Sequence, residues 1–341
     1  MVKITKRKRL KFKKGYTYLN RNMIVDEHSH DIHESLLNYF KKEDLHQYPD
    51  MSRTYQKLSE YLNIPETELL ITSGVDGAIK TLFDYLDLKN KFIAFTYPNF
   101  AMYDVYAKVY GCNVIKLKGD YPEYKIKVKE ILQVIPKIKV LFLDNPKSHL
   151  PNHFTHKELY NIIKECEKYN VLVFLDEVYC GWQLKSYSPK LEHHSNLIIS
   201  GSFSKVSFPS IRVGWIITNK NLKEKIELTR PSYELNYFAC KSIEFLADNK
   251  DYISKLKKLT LETKNRWKKF LSTNEKLKVY DSTNYVLRLS SEDKNLIKKI
   301  YDELYENRIV VQLVNEFNLV FSVTRDKKIE KKFFAIVSSN K

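Results

Sequence analysis

The sequence has no long apolar run, no paired cysteine motif and no apolar core behind its basic N-terminus. No apolar run reaches the ~18 residues that a membrane-spanning helix needs, so no membrane contact is predicted. The cysteines are Cys112, Cys166, Cys180 and Cys240, and none forms a CxxC pair. This spacing predicts reduced thiols in a cytoplasmic protein and disfavours a zinc site, and we predict no bound metal. The first fifteen residues carry eight Lys or Arg, but they do not form a secretory signal.

A large positive charge is the main compositional feature. The formal net charge is +17, and the lysines are spread along the whole chain. Such a field attracts anions, including phosphorylated metabolites and nucleic acid. No nucleic-acid motif of fixed spacing is present, so we expect small anionic molecules as partners and no nucleic acid. The basic N-terminus is interpreted as a solvated tail that partly folds against the body, with a mitochondrial presequence or a phosphate-seeking arm as the alternatives.

Length and periodicity predict two domains. The chain has 341 residues, and strand and helix patterns alternate from 69 to 217. This alternation predicts a largely parallel sheet covered on both faces, in an α/β domain over residues 31–235. A smaller α+β domain is predicted from residues 1–30 and 236–341, with the boundary inside a continuous helix. No internal repeat or low-complexity linker interrupts the chain.

Two neighbouring predicted strands are followed by polar residues that indicate a ligand site. The apolar run from Val171 to Leu175 is followed at once by Asp176 and Glu177, and the run from Leu197 leads into Lys205. Open α/β sheets bind ligands at the carboxyl ends of their strands. A carboxylate and a lysine placed there suit a cofactor with one anionic end and one basic ring nitrogen.

A glycine turn precedes the first predicted helix of the α/β region. In LLITSGVDGAIKTLFDYL, Ser73 and Gly74 separate a short strand from residues of helical spacing. A strand, a glycine turn and a helix start bring free backbone N–H groups together, which favours an anion site.

Several short motifs occur in a fixed order over about 48–236. They are QYPD, TSGVDGAI, YPNFAMY, DNPKSHLPN, FLDEVY, SFSK, RVGW and RPSYELN. This order resembles the fold-type-I pyridoxal-phosphate enzymes of aminotransferase class I/II, and within them the histidinol-phosphate aminotransferases. The resemblance implies a mostly parallel seven-stranded sheet in an α/β/α sandwich, a smaller α+β domain, pyridoxal 5'-phosphate as the cofactor and a homodimer with shared active sites.

The resemblance also implies roles for individual residues. Lys205 would bond to the cofactor aldehyde and move the Cα proton, Asp176 would pair with the ring nitrogen, and Tyr179 would hydrogen-bond the ring hydroxyl. The other implied cofactor-binding residues are Gly74, Val75, Asp76, Phe100, Ser148, Ser202, Ser204, Arg212 and Tyr48, the last from the neighbouring subunit. The residues that we predict to bind the substrate are Arg325, Asn20 and Tyr48.

The sequence departs from the family pattern where substrate carboxylates are held. Val320 and Gln312 align with the two arginines of the family, and Ser148 stands where the family has asparagine. Losing a bidentate arginine would weaken amino-acid binding by roughly 10- to 1000-fold unless another cation substitutes. The candidate substitutes are Arg325, which we favour, and Arg21, Arg53 and Arg230.

These observations leave three functions to compare. The first is an aminotransferase that moves an amino group between a donor such as glutamate and a small, phosphorylated carbonyl compound. The second is a decarboxylase of a phosphorylated amino acid, of the threonine-phosphate or serine-phosphate type. The third is a catalytically silent binding protein on the same fold, which the presence of both Lys205 and Asp176 disfavours.

Overall fold

The computed structural model describes residues 11–25, 30–40 and 43–340, so most of the basic N-terminus lies outside the described residues. The strands are β1 Thr17–Tyr18, β2 Leu69–Thr72, β3 Phe92–Tyr97, β4 Asn113–Lys118, β5 Val140–Asp144, β6 Leu172–Asp176, β7 Leu197–Ser202, β8 Gly214–Thr218, β9 Lys278–Tyr280, β10 Val286–Ser290, β11 Ile309–Val310, β12 Gln312–Asn315 and β13 Asn318–Ser322. The helices are α1 His30–Asn38, α2 Ser52–Leu62, α3 Gly74–Tyr85, α4 Ala101–Val109, α5 Val128–Leu132, α6 His156–Lys168, α7 Lys220–Glu227, α8 Tyr237–Asp248, α9 Lys250–Leu271, α10 Lys294–Glu306 and α11 Lys327–Ser339.

The larger sheet has seven strands in the order β2-β8-β7-β6-β5-β3-β4. Only β8 runs antiparallel to its neighbours β2 and β7; the other pairs are parallel. Successive residues of β6 enter different hydrophobic cores, Val173 and Leu175 on one face and Phe174 on the other. Burial on both faces explains why this strand is a continuous apolar run. The predicted mostly parallel, seven-stranded sandwich is confirmed.

The register of the central strands sets the site. Asp176 at the end of β6 lies opposite Asp144 of β5 on one side and Ser200 of β7 on the other. Three polar side chains therefore meet where three apolar strands end. This is the edge at which the sequence predicted a ligand site.

A smaller antiparallel sheet, in the order β12-β13-β10-β9, forms the second α+β unit. Its core contains Trp267, which is fully buried against Phe321 and Phe333. The N-terminal segment joins this unit because β1 pairs in parallel with β11. The residues that follow β1 are thereby carried from the smaller unit towards the larger sheet.

The predicted continuous helix across the domain boundary is wrong. Residue 235 lies in an irregular segment between α7 and α8, and a second break at Asn249 separates α8 from α9. Asn236 explains where α8 begins, because its side chain accepts a hydrogen bond from the backbone N–H of Ala239. The domain limits themselves stay a prediction.

No helix within residues 11–25, 30–40 and 43–340 combines the length and the apolarity of a membrane span. The same part of the chain contains no group of three or more His, Cys, Asp or Glu placed to hold a metal ion.

Candidate active site

Asp176 is a buried carboxylate at the centre of the site, with 3% of its surface exposed. The Tyr103 hydroxyl donates to its Oδ2 at 3.1 Å, and the backbone N–H of Val178 donates to its Oδ1 at 3.0 Å. Burial, followed by the neighbouring Asp144 carboxylate, raises the pKa of Asp176 to about 7. A protonated nitrogen placed beside this group would favour its ionised form.

Lys205 ends the short 3-10 turn that follows β7. Its Nζ lies 3.4 Å from the carbonyl oxygen of Arg21 and 5.8 Å from the centre of the Tyr179 ring. Burial, followed by the positive charge of Arg212, lowers the pKa of Lys205 from 10.5 to about 8, although Asp176 opposes the shift. A substantial fraction of this amine is therefore neutral near physiological pH and able to attack an aldehyde.

Tyr179 is buried beside these two groups. Its hydroxyl accepts a hydrogen bond from Nδ2 of Asn22 at 2.9 Å. Asn22 is itself held by Tyr285, whose hydroxyl donates to the Asn22 carbonyl at 2.8 Å. Burial raises the pKa of Tyr179 well above its usual value, while hydrogen bonds with Asn22 and Ser148 oppose the rise. Tyr179 is therefore neutral and able to donate a hydrogen bond, and the Ser148 side chain lies within hydrogen-bonding reach of it.

The start of α3 and Arg212 form a second, anion-binding part of the site. Gly74 has a φ of +70°, and a Cβ added there would lie 2.7 Å from Nη2 of Arg212. The first turn of a helix leaves backbone N–H groups, here those of Val75 and Asp76, without intrahelical partners. A glycine cradle, these N–H groups and a guanidinium fit a phosphate.

Hydroxyl groups of the β7 turn and a tyrosine of α4 surround this cradle. Ser202 Oγ lies 2.6 Å from the Val213 carbonyl and accepts a hydrogen bond from the backbone N–H of Ser204. The carboxylate of Asp76 accepts from the Tyr106 hydroxyl at 3.2 Å. These contacts order the two turns that face Arg212.

The two aromatic residues predicted at the cofactor lie nearer the surface. Phe100 precedes α4, is 45% exposed and packs edge-on against Tyr103, the residue that contacts Asp176. Tyr48 is 78% exposed and stacks on Tyr233 with ring centres 4.5 Å apart. Phe100 thus lies beside the site, whereas Tyr48 projects outward.

The predicted substrate-side residues fall in different environments. The Asn20 Oδ1 atom is buried without a hydrogen-bond partner among the described residues, and Asn22 rather than Asn20 reaches Tyr179. Arg53 pairs with Glu244 at 3.4 Å and Arg230 pairs with Glu234 at 2.7 Å. The backbone carbonyl of Arg21 contacts Lys205, and Arg325 is half-buried after the end of β13. Gln312 and Val320 lie directly opposite each other in the smaller sheet.

Sequence reasoning missed a buried ion pair next to Asp176. Lys147 lies 3.5 Å from the Asp144 carboxylate and donates to the carbonyls of Thr96 and Pro98 at 3.2 and 2.6 Å. No cation near Asp176 other than the cofactor was expected. The sequence did contain a pattern that could have predicted this pair. Asp144 and Lys147 carry opposite charges and stand three residues apart in DNPK, at the end of a buried strand.

The donor set fits pyridoxal 5'-phosphate. Lys205 supplies an amine that is partly neutral, Asp176 a buried carboxylate, and Tyr179 a protonated phenol. The Gly74 cradle beside Arg212 offers space that a side chain would fill. These groups match an aldehyde, a ring nitrogen, a ring hydroxyl and a phosphate respectively.

Comparison with known proteins agrees with this chemistry. The family described as "Aminotransferase class I and II" matches residues 16–329. A histidinol-phosphate aminotransferase of Clostridium novyi is 27% identical over 296 residues, which are 85% of this chain and 81% of that protein.

Solved structures share the fold. The histidinol-phosphate aminotransferase of Clostridium acetobutylicum superimposes with a TM-score of 0.82 at 19% identity, over 95% of this chain and 98% of that one. The enzyme of Sinorhizobium meliloti, in complex with pyridoxal-5'-phosphate, gives a TM-score of 0.84 at 13% identity, over 95% and 91%. The family match over residues 16–329 shows that this protein belongs to the class I and II aminotransferases, a family of pyridoxal-phosphate-dependent enzymes.

Proposed function

We propose that this enzyme moves an amino group between a donor such as glutamate and a small phosphorylated carbonyl compound, in the manner of histidinol-phosphate aminotransferases. The observation that carries the proposal is the position of Lys205 and Asp176 at the ends of neighbouring strands, with Tyr179 beside both. The related sequence from Clostridium novyi, named for histidinol phosphate, supports this substrate class. The same relative favours aminotransfer over decarboxylation.

The cofactor would be held at its phosphate by the start of α3, Ser202, Ser204 and Arg212, and at its ring by Phe100, Ser148, Tyr179 and Asp176. When bound, pyridoxal phosphate supplies an electron-withdrawing ring that makes the substrate Cα–H bond acidic. An ionised Asp176 would keep a proton on the ring nitrogen, and the positive charge of that nitrogen would offset the burial and the Asp144 carboxylate, which by themselves favour the protonated form of Asp176. Tyr179 donates its hydroxyl proton in a hydrogen bond without ionising.

Lys205 carries the proton in the proposed reaction. Its amine, with a pKa of about 8, would take a proton from the substrate Cα and hold it for return to the carbon that carried the cofactor aldehyde, on the far side of the transferred nitrogen. The Arg21 carbonyl, 3.4 Å from Nζ, orients the amine between the ring and the N-terminal segment. A lysine of ordinary pKa would stay protonated at neutral pH and serve poorly as this base.

Gln312 and Val320 are uncharged, whereas the family has carboxylate-binding arginines at these two positions. This difference favours an amino-alcohol phosphate as one of the two substrates, because such a compound lacks an α-carboxylate. The net charge of +17 favours the phosphate itself. We also propose a cytoplasmic homodimer. The exposed Tyr48 ring supports a second chain at this surface, and the free cysteines support a reducing compartment.

Half-reactions test the function directly. The holoenzyme is mixed with L-glutamate or with histidinol phosphate, and the cofactor spectrum and the keto product are followed, with Lys205→Ala as the inactive control. We expect both substrates to convert the cofactor, and a keto acid to be required for turnover. Carbon dioxide release without a keto acid, or a clear preference for plain amino acids over amino-alcohol phosphates, would contradict the proposal.

A further inference from the structure

Arg288 is a buried cation that has no carboxylate at ion-pair distance in the part of the chain that the structure describes. It lies in the middle of β10 and is 1% exposed. Its Nε, Nη1 and Nη2 atoms have no hydrogen-bond partner among the residues that the structure describes. Two other cations with little exposed surface do have carboxylate partners: Lys264 lies 2.8 Å from Asp281, and Arg230 lies 2.7 Å from Glu234. An unpaired buried charge is strongly unfavourable, so Arg288 requires an explanation beyond packing.

The aromatic neighbours of Arg288 cover the faces of its guanidinium group but accept no hydrogen bond from its N–H groups. The guanidinium lies 3.9 Å from the Tyr280 ring centre and 5.5 Å from that of Tyr124. Cation–π contacts of this kind offset part of the desolvation of the charge. They provide no acceptor for the five N–H groups of the fork, which suit a carboxylate or phosphate.

No neighbouring side chain neutralises this charge fully. Burial, then Arg288 and Lys147, lower the pKa of His149 to about 3, so the imidazole is neutral. The acidic neighbour Glu123 is exposed and lies 3.9 Å from Lys278, so it is solvated and shared. The charge of Arg288 therefore remains available to a ligand.

Arg288 is aligned across the small sheet with Val320 and Gln312, the two positions where the family pattern has arginine. In the sheet register Arg288 is directly opposite Val320, which in turn is opposite Gln312. Residues directly opposite in antiparallel strands project from the same face. The guanidinium therefore belongs to the same face as the two uncharged positions, one strand further along.

A series of interactions connects Arg288 with the catalytic groups, beginning with its electrostatic effect on His149. His149, its neighbour, is bonded to the preceding Ser148 hydroxyl at 2.9 Å, and Ser148 reaches Tyr179. Asn284, four residues before Arg288, donates to the Ser148 carbonyl at 2.9 Å. The strand that carries Arg288 and the loop that carries Ser148 are thus fastened together.

We propose that Arg288 is the receptor for the anionic group of the substrate, a carboxylate of the amino donor or the phosphate of the carbonyl compound. The proposal rests on the aminotransferase function above and supplies the cation that Gln312 and Val320 lack. Tyr124 is half-buried on a turn whose adjoining residues, Glu123 and Lys125, are exposed. Displacement of this ring would give an anion a path to the guanidinium.

The test compares Arg288→Gln with Arg288→Lys in the holoenzyme. A matched control is Arg266→Gln, which removes a small-domain arginine that pairs with Glu330 at 2.6 Å. We expect Arg288→Gln to raise KM for the anionic substrate about 10- to 100-fold, as the loss of charge-assisted hydrogen bonds implies, with a smaller change in kcat. Arg288→Lys restores part of the affinity, and Arg266→Gln leaves KM unchanged.

Parallel assays identify the anion. An increase in KM for L-glutamate alone assigns Arg288 to the carboxylate, and an increase for histidinol phosphate alone assigns it to the phosphate. Calorimetric titration of the holoenzyme with succinate and with inorganic phosphate measures the same site without turnover, so it remains informative if aminotransfer fails. Unchanged KM values together with unchanged anion binding in Arg288→Gln would overturn the proposal and leave Arg288 as a packing residue.

Discussion

Replacing Lys147 by methionine removes the positive half of the buried pair beside Asp176. The Asp144 carboxylate would then stand without its partner, directly opposite Asp176 in the sheet register. Lys147→Met also removes the donors to the carbonyls of Thr96 and Pro98. We expect both lower stability and weaker retention of the cofactor, because two neighbouring carboxylates repel and one of them takes up a proton.

The magnitude follows from the separation of the charges. At 3.5 Å and an effective dielectric constant of about 20, the attraction between Lys147 and Asp144 is about 5 kcal/mol. Breaking a buried pair by removing one partner typically costs about 3–5 kcal/mol. With an unfolding entropy of about 2.1 cal/mol/K per residue, or about 0.7 kcal/mol/K for 341 residues, this loss lowers Tm by about 4–7 °C.

Thermal unfolding of four variants measures the effect. Lys147→Met and Asp144→Asn are compared with the double variant, which should be more stable than Lys147→Met because it leaves neither charge unpaired. Lys220→Met is the control, since its exposed pair with Glu224 at 4.0 Å should contribute less than about 1 kcal/mol. A Lys147→Met protein that unfolds within a degree of the wild type, or a double variant less stable than Lys147→Met, would refute the reasoning.

Four further predictions concern the cofactor site. Borohydride reduction of the holoenzyme should fix one cofactor per chain, detected by mass spectrometry, and Lys205→Ala should retain none; an equal mass gain in both would contradict the assignment. Cofactor-free protein should capture pyridoxal phosphate at a rate that rises through about pH 8 and then levels, because the pKa of Lys205 is about 8; a rate still climbing steeply at about pH 10, as for an ordinary lysine, would count against it. In the unfolded chain Lys205 has its ordinary pKa of 10.5, whereas in the folded protein its pKa is about 8. Its contribution to the free energy of unfolding therefore increases as the pH rises from about 8 to 10.5. Gly74→Ala should weaken cofactor binding and lower Tm more than Gly111→Ala, because both glycines have φ near +70° but only the first Cβ meets Arg212, at 2.7 Å; equal losses would show that backbone strain alone matters.

Local sequence patterns predicted much of the cofactor site. Asp176 and Lys205 could be placed because each follows an apolar run that is long enough for one buried strand, and the ends of such strands meet at one edge. Gly74 could be placed because a glycine between a strand and a helix favours a tight turn. The family resemblance then assigned roles that these patterns alone left open.

Contacts between distant segments could not be predicted in this way. Tyr103 reaches Asp176 across 73 residues of sequence, and its position on α4 resembles that of any core aromatic residue. Asn22 and Asn20 are indistinguishable in a turn-like Asn-Arg-Asn, and only the bond from Asn22 to Tyr179 separates them. The helix break before α8 was missed because its cap, Asn236, stands in a segment of mixed polarity.

The sequence by itself determined the alternation of strands and helices, the residue types at the strand ends and the family, because these depend on residue type and spacing along the chain. Tertiary structure decided which charges are balanced. Arg53 and Arg230 meet carboxylates, whereas Arg288, within the described residues, meets only aromatic faces and a neutral histidine. Partners for a side chain are set by the packing of whole elements against each other, and electrostatic energy depends on distance and burial rather than on position in the sequence.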